Sequence, residues 1–330
     1  MSDVIEMPAR ERGAALLTVL LLVAVMAVIT ATALDRLRLS TRLAVNGSAM
    51  AQARAYSYAA EAIAAVRLED LIQTSPAQLT ANGNWLGRDL PVPVDRGQAV
   101  VNISDGQNCF NLNSLVSGMG GQSSANRRSI AQFVELMKLL AIAPADAAVI
   151  ADSAADWIDS DSNSLPSGAE DGYYAGLSSP FLTANRLLLD AGELRAVRGV
   201  TSSYFKRLRP WICALPISEP VKLNANTILP ERAILLAALL EGKVSPVQAK
   251  ALLAIRPAGG YGSAVRFWAQ PQLAAAQIPA DIQGQIGVTS NWFFIRSRIS
   301  AGSIELESEA LVDARSPQAR IIWRRWGDAG

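Results

Sequence analysis

No histidine occurs among the 330 residues. That absence removes the usual general base near neutral pH, the common catalytic dyads and triads, and the commonest nitrogen ligand for zinc. An enzyme built on this chain would have to rely on carboxylates or lysine. Cysteine is nearly as scarce: Cys109 and Cys213 are the only two, too far apart for a CxxC metal or redox motif. They are quiet core thiols or a disulfide, and the compartment decides between these. Net charge is almost missing as well, because 30 Lys and Arg against 29 Asp and Glu leave +1. No global field therefore draws nucleic acid or an anionic surface to the chain. Half of the residues are apolar, enough to bury a sizeable core, and the length suggests about two domains.

What is present begins with a charge-free run, AALLTVLLLVAVMAVITATAL, from Ala14 to Leu34. At about 1.5 Å per residue it is just long enough to cross roughly 30 Å of hydrocarbon as a helix. A secretory signal peptide is the rival reading, with Ala31 and Ala33 supplying an AxA-like cleavage site. The order of elements decides for a membrane helix: a polar leader ends in Arg10-Glu11-Arg12-Gly13 and the apolar run starts at once. This order resembles the type IV prepilin signal. The resemblance implies cleavage by a prepilin peptidase between Gly13 and Ala14, N-methylation of Ala14, and retention of the apolar segment. It also supplies the orientation, since arginines flank the run on both sides, Arg10 and Arg12 before it and Arg36, Arg38 and Arg42 after it.

Helical periodicity continues beyond Leu34 to about residue 75, with Ala49, Ala53, Tyr56, Ala60, Ile63, Ala64 and Leu71 expected on one face. The fifth position of the mature chain is Thr18, where most pilins carry a glutamate that pairs inside the membrane with a neighbour's terminal amine. An unpaired carboxylate in hydrocarbon is costly, so its absence suits a terminal subunit.

Five further segments, CFNLNSL, ADSAADWIDSDSN with GAEDGYY, ALP and LNANT, complete a resemblance to the K-type minor pseudopilins of type II secretion. It implies a non-enzymatic subunit at the tip of a short periplasmic pseudopilus, assembled with I-, J- and H-type subunits. It also implies a single-pass inner-membrane anchor with the globular part in the periplasm, and no nucleic-acid partner.

Alternating, β-branched segments predict strands at Gln98–Ser104, Trp292–Ile299, Ile304–Val312 and Arg320–Trp326. Between them, Ser129–Ala141, Pro144–Ile158, Pro230–Leu240 and Pro246–Ile255 have helical spacing, with Pro144, Pro230 and Pro246 suited to a first turn. The expected fold is α+β and type IV pilin-like, a long N-terminal transmembrane helix with an antiparallel sheet. Residues 1–13 are the leader, 14–34 the membrane segment, 76–108 and 288–330 the pilin-like part, and 109–287 an inserted α-domain. A weak repeat sets FNLNSL and IAPADAAVIAD against VKLNANTI and VSPVQAKALLA, so two units are expected in the insert. They resemble SAM-like or helix-hairpin-helix modules, which can grip a nucleic-acid backbone, but the first hairpin is acidic.

Asp159, Asp161, Asn163 and Glu170 fall at loop positions one, three, five and twelve, the oxygen-ligand spacing of an EF-hand. Ser164 stands where glycine normally makes the turn, and Pro166 is foreign to the pattern. The K-type resemblance implies Ca²⁺ in the α-domain near such an acidic run, and with it the candidates are Asp159, Asp161, Asn163, Glu170 and Asp171. Asp156 is set aside as part of the preceding helix. A solvated loop closed by Asx turns is the plain alternative. In an oxidising periplasm a Cys109–Cys213 bond would close a long loop around much of the insert.

Weaker signals have plain readings. PAGGYGS is a turn, the basic aromatic cluster of Arg320, Trp323, Arg324, Arg325 and Trp326 is a last strand packed on the sheet, and Glu305 with Glu307 is exposed charge on one strand face. Two rival functions remain at this level, a helix-hairpin-helix DNA-binding competence protein and a membrane-anchored periplasmic hydrolase. Salt-dependent retention on DNA would favour the first, and the second needs a carboxylate pair in a cleft.

Overall fold

The computed structural model describes residues 9–82, 85–119, 122–302 and 304–327, so positions 1–8 of the expected leader lie outside the described residues. Helix α1 (Ala9–Thr74) runs unbroken for 66 residues, about 100 Å at the standard rise. Among the described residues, positions 14–48 of α1 are all exposed, large apolar side chains from Leu16 to Val45 included. Its second half buries a narrow stripe, Ala53, Ser57, Ala60, Glu61, Ala64 and Leu68, against the sheet. Small residues in that stripe let the helix backbone come close to the strands.

The expected face needs correction at Ile63, which is 44% exposed. With 3.6 residues per turn, a stripe through positions 53, 57, 60, 64 and 68 leaves position 63 turned about 100° away. Ala49, Tyr56 and Leu71 flank the stripe half-buried.

Five antiparallel strands form the sheet in the order β1 (Asp89–Val92), β2 (Gln98–Asp105), β3 (Trp292–Ala301), β4 (Ile304–Asp313) and β5 (Arg320–Trp326). β2 and β3 are neighbours although 186 residues separate Asp105 from Trp292 by number. The helical insert leaves and rejoins the sheet at that end, where Asp105 faces Phe293. One sheet face, with Val101, Ile103, Ile295, Ile299 and Leu306, packs on α1. The opposite face carries cross-strand ion pairs, Arg296–Glu309 at 2.7 Å and Arg298–Glu307 at 3.0 Å.

The insert has its own core, built chiefly from α2 (Arg127–Leu139), α3 (Pro144–Ile158), α4 (Ala233–Leu239) and α5 (Pro246–Ala254). Pro144 and Pro246 occupy first-turn positions, where the missing N–H costs nothing. The repeat is visible as geometry. Each unit opens on a short strand, Phe110–Asn111 or Leu223–Asn224, and closes on a parallel partner, Ile212–Cys213 or Ile286–Gly287. In each, the first asparagine side chain takes the backbone N–H two residues on, Asn111 from Asn113 and Asn224 from Asn226.

The insert stands at the C-terminal end of α1, the pole opposite the apolar run. Five residues past the helix, the Leu79 N–H donates to Val288 O at 2.7 Å. Gln78 reaches into the insert itself, donating to Gly259 O at 3.1 Å and accepting from Asn226 Nδ2 at 3.2 Å.

Candidate metal centre and assembly helix

Helix α3 ends at Ile158, and Asp159 follows it as the C-cap residue. The chain then folds back so that Asp159, Asp161 and Glu170 each bring a carboxylate oxygen within 4.8 Å of the other two. Calcium–oxygen distances run from about 2.3 to 2.6 Å, so ligands on opposite sides of one ion lie roughly 5 Å apart. The group has the right size. Asp159 Oδ1 and Glu170 Oε1 are buried and accept no hydrogen bond among the described residues, an expensive arrangement unless a cation or proton satisfies them. Burial, then repulsion from Asp161 and the other acids, pushes the Asp159 carboxyl up to about 7. Burial raises Glu170 too, with Asp171 and Asp161 adding to it.

The remaining sequence candidates are placed differently. The Asn163 N–H donates to Asp161 Oδ1 at 2.7 Å, an Asx turn inside the loop. Asp171 lies beside Glu170 but outside the three-carboxylate group: its Oδ1 accepts both the N–H and the hydroxyl of Thr183, at 2.9 and 2.6 Å. Those bonds lower its pKa and tie its Oδ1 to the next segment.

Asp156, set aside on sequence grounds, is fully buried in the last turn of α3 and takes the Leu165 N–H at 3.1 Å. Burial raises it to about 7, with Glu170 contributing. It closes the acidic loop from beneath. Gly168 is the sequence signal for this contact, because any side chain there would collide with the Asp156 carboxylate.

Along the apolar half of α1 each hydroxyl is satisfied within the helix. The Thr18 hydroxyl donates to Ala15 O at 2.8 Å, and Thr30 and Thr32 donate to Met26 O and Ile29 O. A span of this kind presents hydrocarbon only and asks nothing polar of its surroundings. It fits a single-pass anchor.

Cys109 and Cys213 are joined in a disulfide with Cα atoms 5.9 Å apart, packed with Leu215, Trp292 and Leu311 where insert meets sheet. Each unit of the insert contains a helical hairpin, α2–α3 in the first and α4–α5 in the second. The second turns through Glu241 and Gly242, both at positive φ, and the Glu241 carboxylate at its tip holds Arg128 at 2.8 Å. Arg128 is further neutralised by Asp281 at 3.0 Å.

Residues 108–217 and 223–289, one segment for each helical unit, match two family models that share the description type II secretion system (T2SS), protein K. Type II secretion system protein K of Aeromonas hydrophila is 35% identical over 322 residues, covering 96% of this chain and 97% of that protein. The protein K of Pectobacterium carotovorum is 32% identical, covering 97% and 98% respectively. Among solved structures, the GspK-GspI-GspJ complex from the enterotoxigenic Escherichia coli type 2 secretion system contains a chain that superposes with a TM-score of 0.74 at 31% identity. The match spans 84% of this chain and 96% of that one.

Proposed function

Because the chain belongs to the type II secretion system protein K family, we propose that it is the minor pseudopilin that caps a periplasmic pseudopilus, its work being assembly rather than catalysis. Its partners would be I- and J-type subunits, with an H-type subunit beyond them. One observation carries this reading: the bulk of the insert lies at the pole opposite the apolar run of α1. Sister helices can pack alongside the exposed first half of α1, whereas the insert obstructs the position above. The anchor would cross the inner membrane once. Prepilin peptidase would release Met1 to Gly13 and leave N-methylated Ala14 as the first residue.

Thr18 supports the terminal position, since its hydroxyl is already bonded to Ala15 O and seeks no neighbour's amine. Thr18→Glu is expected to permit internal placement or to impair assembly. A charge at a helix centre in the membrane costs about 2.5–3.5 kcal/mol on insertion scales, an upper bound for Thr18 near the end of the span, and pairing with a neighbour offsets that cost. Co-expression with the I- and J-type subunits, followed by purification, mass measurement of the mature amino terminus and a secretion assay, tests both points. Unchanged complex formation, tip location and secretion in the Thr18→Glu chain would remove Thr18 from the account. A mature chain starting beyond Leu34 would remove the anchor.

We also propose that Asp159, Asp161 and Glu170 hold Ca²⁺, with Asn163 beside them and Asp156 bracing the loop from α3. The ion would offset the mutual repulsion of the acids and order the segment between α3 and Glu170. A pH dependence follows. Carboxyls raised toward 7 in the folded chain against roughly 4 when unfolded mean that the metal-free native state binds more protons than the unfolded state. With chelator present, stability is then expected to be highest below about pH 4 for these groups and to fall as pH rises to about 7. Saturating Ca²⁺ should abolish that slope and raise the melting temperature at pH 7.5. Thermal unfolding with EDTA and with Ca²⁺ across this range is the check, and superimposable curves at every pH would exclude the ion.

A further inference from the structure

The insert overhangs the sheet face opposite α1, and between them lies a cavity of ≈880 Å³. Its lining includes six arginines, Arg88, Arg209, Arg232, Arg296, Arg298 and Arg325, and five acids, Asp89, Asp105, Asp190, Glu307 and Glu309. The groups are not evenly matched. Arg296, Arg298 and Arg325 are paired with Glu309, Glu307, Asp89 and Asp190. Asp105 is withdrawn from the balance, its carboxylate accepting the hydroxyls of Thr227 and Ser290. Among the described residues, Arg88, Arg209 and Arg232 have no carboxylate within ion-pair distance.

Arg232 is held in place before any ligand arrives. Its Nη1 donates to Asn108 O at 2.7 Å and its Nη2 to Pro210 O at 2.9 Å. These carbonyls fix the guanidinium plane but supply no negative charge, and the remaining N–H groups are free to meet a carboxylate. Burial and the neighbouring Arg296 pull the Arg232 pKa below its ordinary value, the mark of a cation short of an anion. The insert's wall adds apolar contacts at Leu189, 70% exposed, and Leu229, 54% exposed.

We propose that this cleft binds an acidic peptide segment of a protein partner, its carboxylates meeting Arg232, Arg209 and Arg88 and its intervening apolar side chains resting on Leu189 and Leu229. The volume is in the range of cavities that enclose a ligand larger than a single anion. An arginine fork recognises a carboxylate with defined geometry, and alternating acidic and apolar positions match the two kinds of wall. The cleft lies on the sheet face away from α1, so the proposal is independent of the assembly role and neither falls with the other.

The test uses the full chain in detergent and a fluorescein-labelled peptide of alternating glutamate and leucine, followed by anisotropy at low salt. The expected result is saturable binding that weakens by at least about tenfold in a doubly substituted Arg88→Glu, Arg209→Glu chain and as salt is raised. The glutamine and leucine counterpart of the peptide should not bind. Among the described residues neither arginine side chain makes a hydrogen bond or ion pair, the Arg209 contact to Phe205 O being through its backbone N–H, and circular dichroism verifies folding of the variant. No saturation up to about 1 mM, equal binding of both peptides, or equal binding to the doubly substituted chain would overturn the proposal.

Discussion

Arg324→Leu is expected to destabilise the sheet part of the molecule by about 3–5 kcal/mol, more than any other single substitution in β5, because it strands a buried carboxylate. Glu61 on α1 is fully buried, and Arg324 is the cation that meets it, with Nε and Nη2 at 2.6 and 2.5 Å from Oε2. The other carboxylate oxygen accepts from the Ser308 hydroxyl at 3.2 Å. Ser308 in turn forms a closed set with Ser57 and Ser297, at 2.7 to 2.8 Å between hydroxyl oxygens. Helix and sheet are thus pinned by a polar network inside an apolar seam. The two halves of the ion pair are not equivalent. Arg324 keeps 23% of its side chain in contact with solvent and stacks over Tyr58 at 4.4 Å, so Glu61→Leu lets it swing toward water. That substitution should cost less, about 1–3 kcal/mol, and the double replacement should recover much of the loss because no charge is left unpaired. Denaturant midpoints for the four chains make a double-mutant cycle. Equal costs for the two single substitutions would contradict the burial asymmetry.

Much of this architecture is legible in the sequence where a pattern is long or a residue type is diagnostic. The helix from the apolar run to Thr74, the three C-terminal strands and the proline-started helices all announce themselves by period or by Pro at the first turn. β1 does not: it has four residues, DLPV, and Pro91 argues against a strand except at an edge, which is where it lies. The helices Ser202–Leu208, Ala264–Trp268 and Pro271–Ala275 are too short for a period to show. The buried ion pair is illegible for another reason. Glu61 looks like any helical surface charge until β5 supplies Arg324 from 263 positions away.

The acidic loop shows the same division. Alternating carboxylates at Asp159 and Asp161 and the return at Glu170 put three oxygens together, because short polar side chains at alternate loop positions can converge on one point. Asp171 belongs to the same run by sequence, yet it begins the short helix Asp171–Ala175 and bonds Thr183 instead. Adjacent residues at a helix start do not share a direction. Asp156 is the converse case. Its place on α3 is three residues before Asp159, and spacing of three on a helix brings it under the loop that follows.

The disulfide makes the second large prediction. Its cysteines are separated by 104 positions, and closing a loop of that size constrains the unfolded chain by about 4–5 kcal/mol in the chain-entropy account. The loop encloses the first helical unit, with α2, α3 and the acidic segment, and leaves the second unit outside. Cys109→Ser with Cys213→Ser should therefore lower the unfolding free energy of the first unit by up to about 4–5 kcal/mol while leaving its local geometry intact. Parallel pairing of Phe110 with Ile212 and of Asn111 with Cys213 survives the change, as does packing of Trp292 and Leu311 at the junction. Hydrogen exchange separates the units. Backbone amides of residues 110–212 should lose protection, and those of residues 223–289, which the loop never enclosed, should lose far less. A uniform loss across both units would mean that they unfold as one body, and no loss at all would mean that the junction's packing alone sets the stability of the insert.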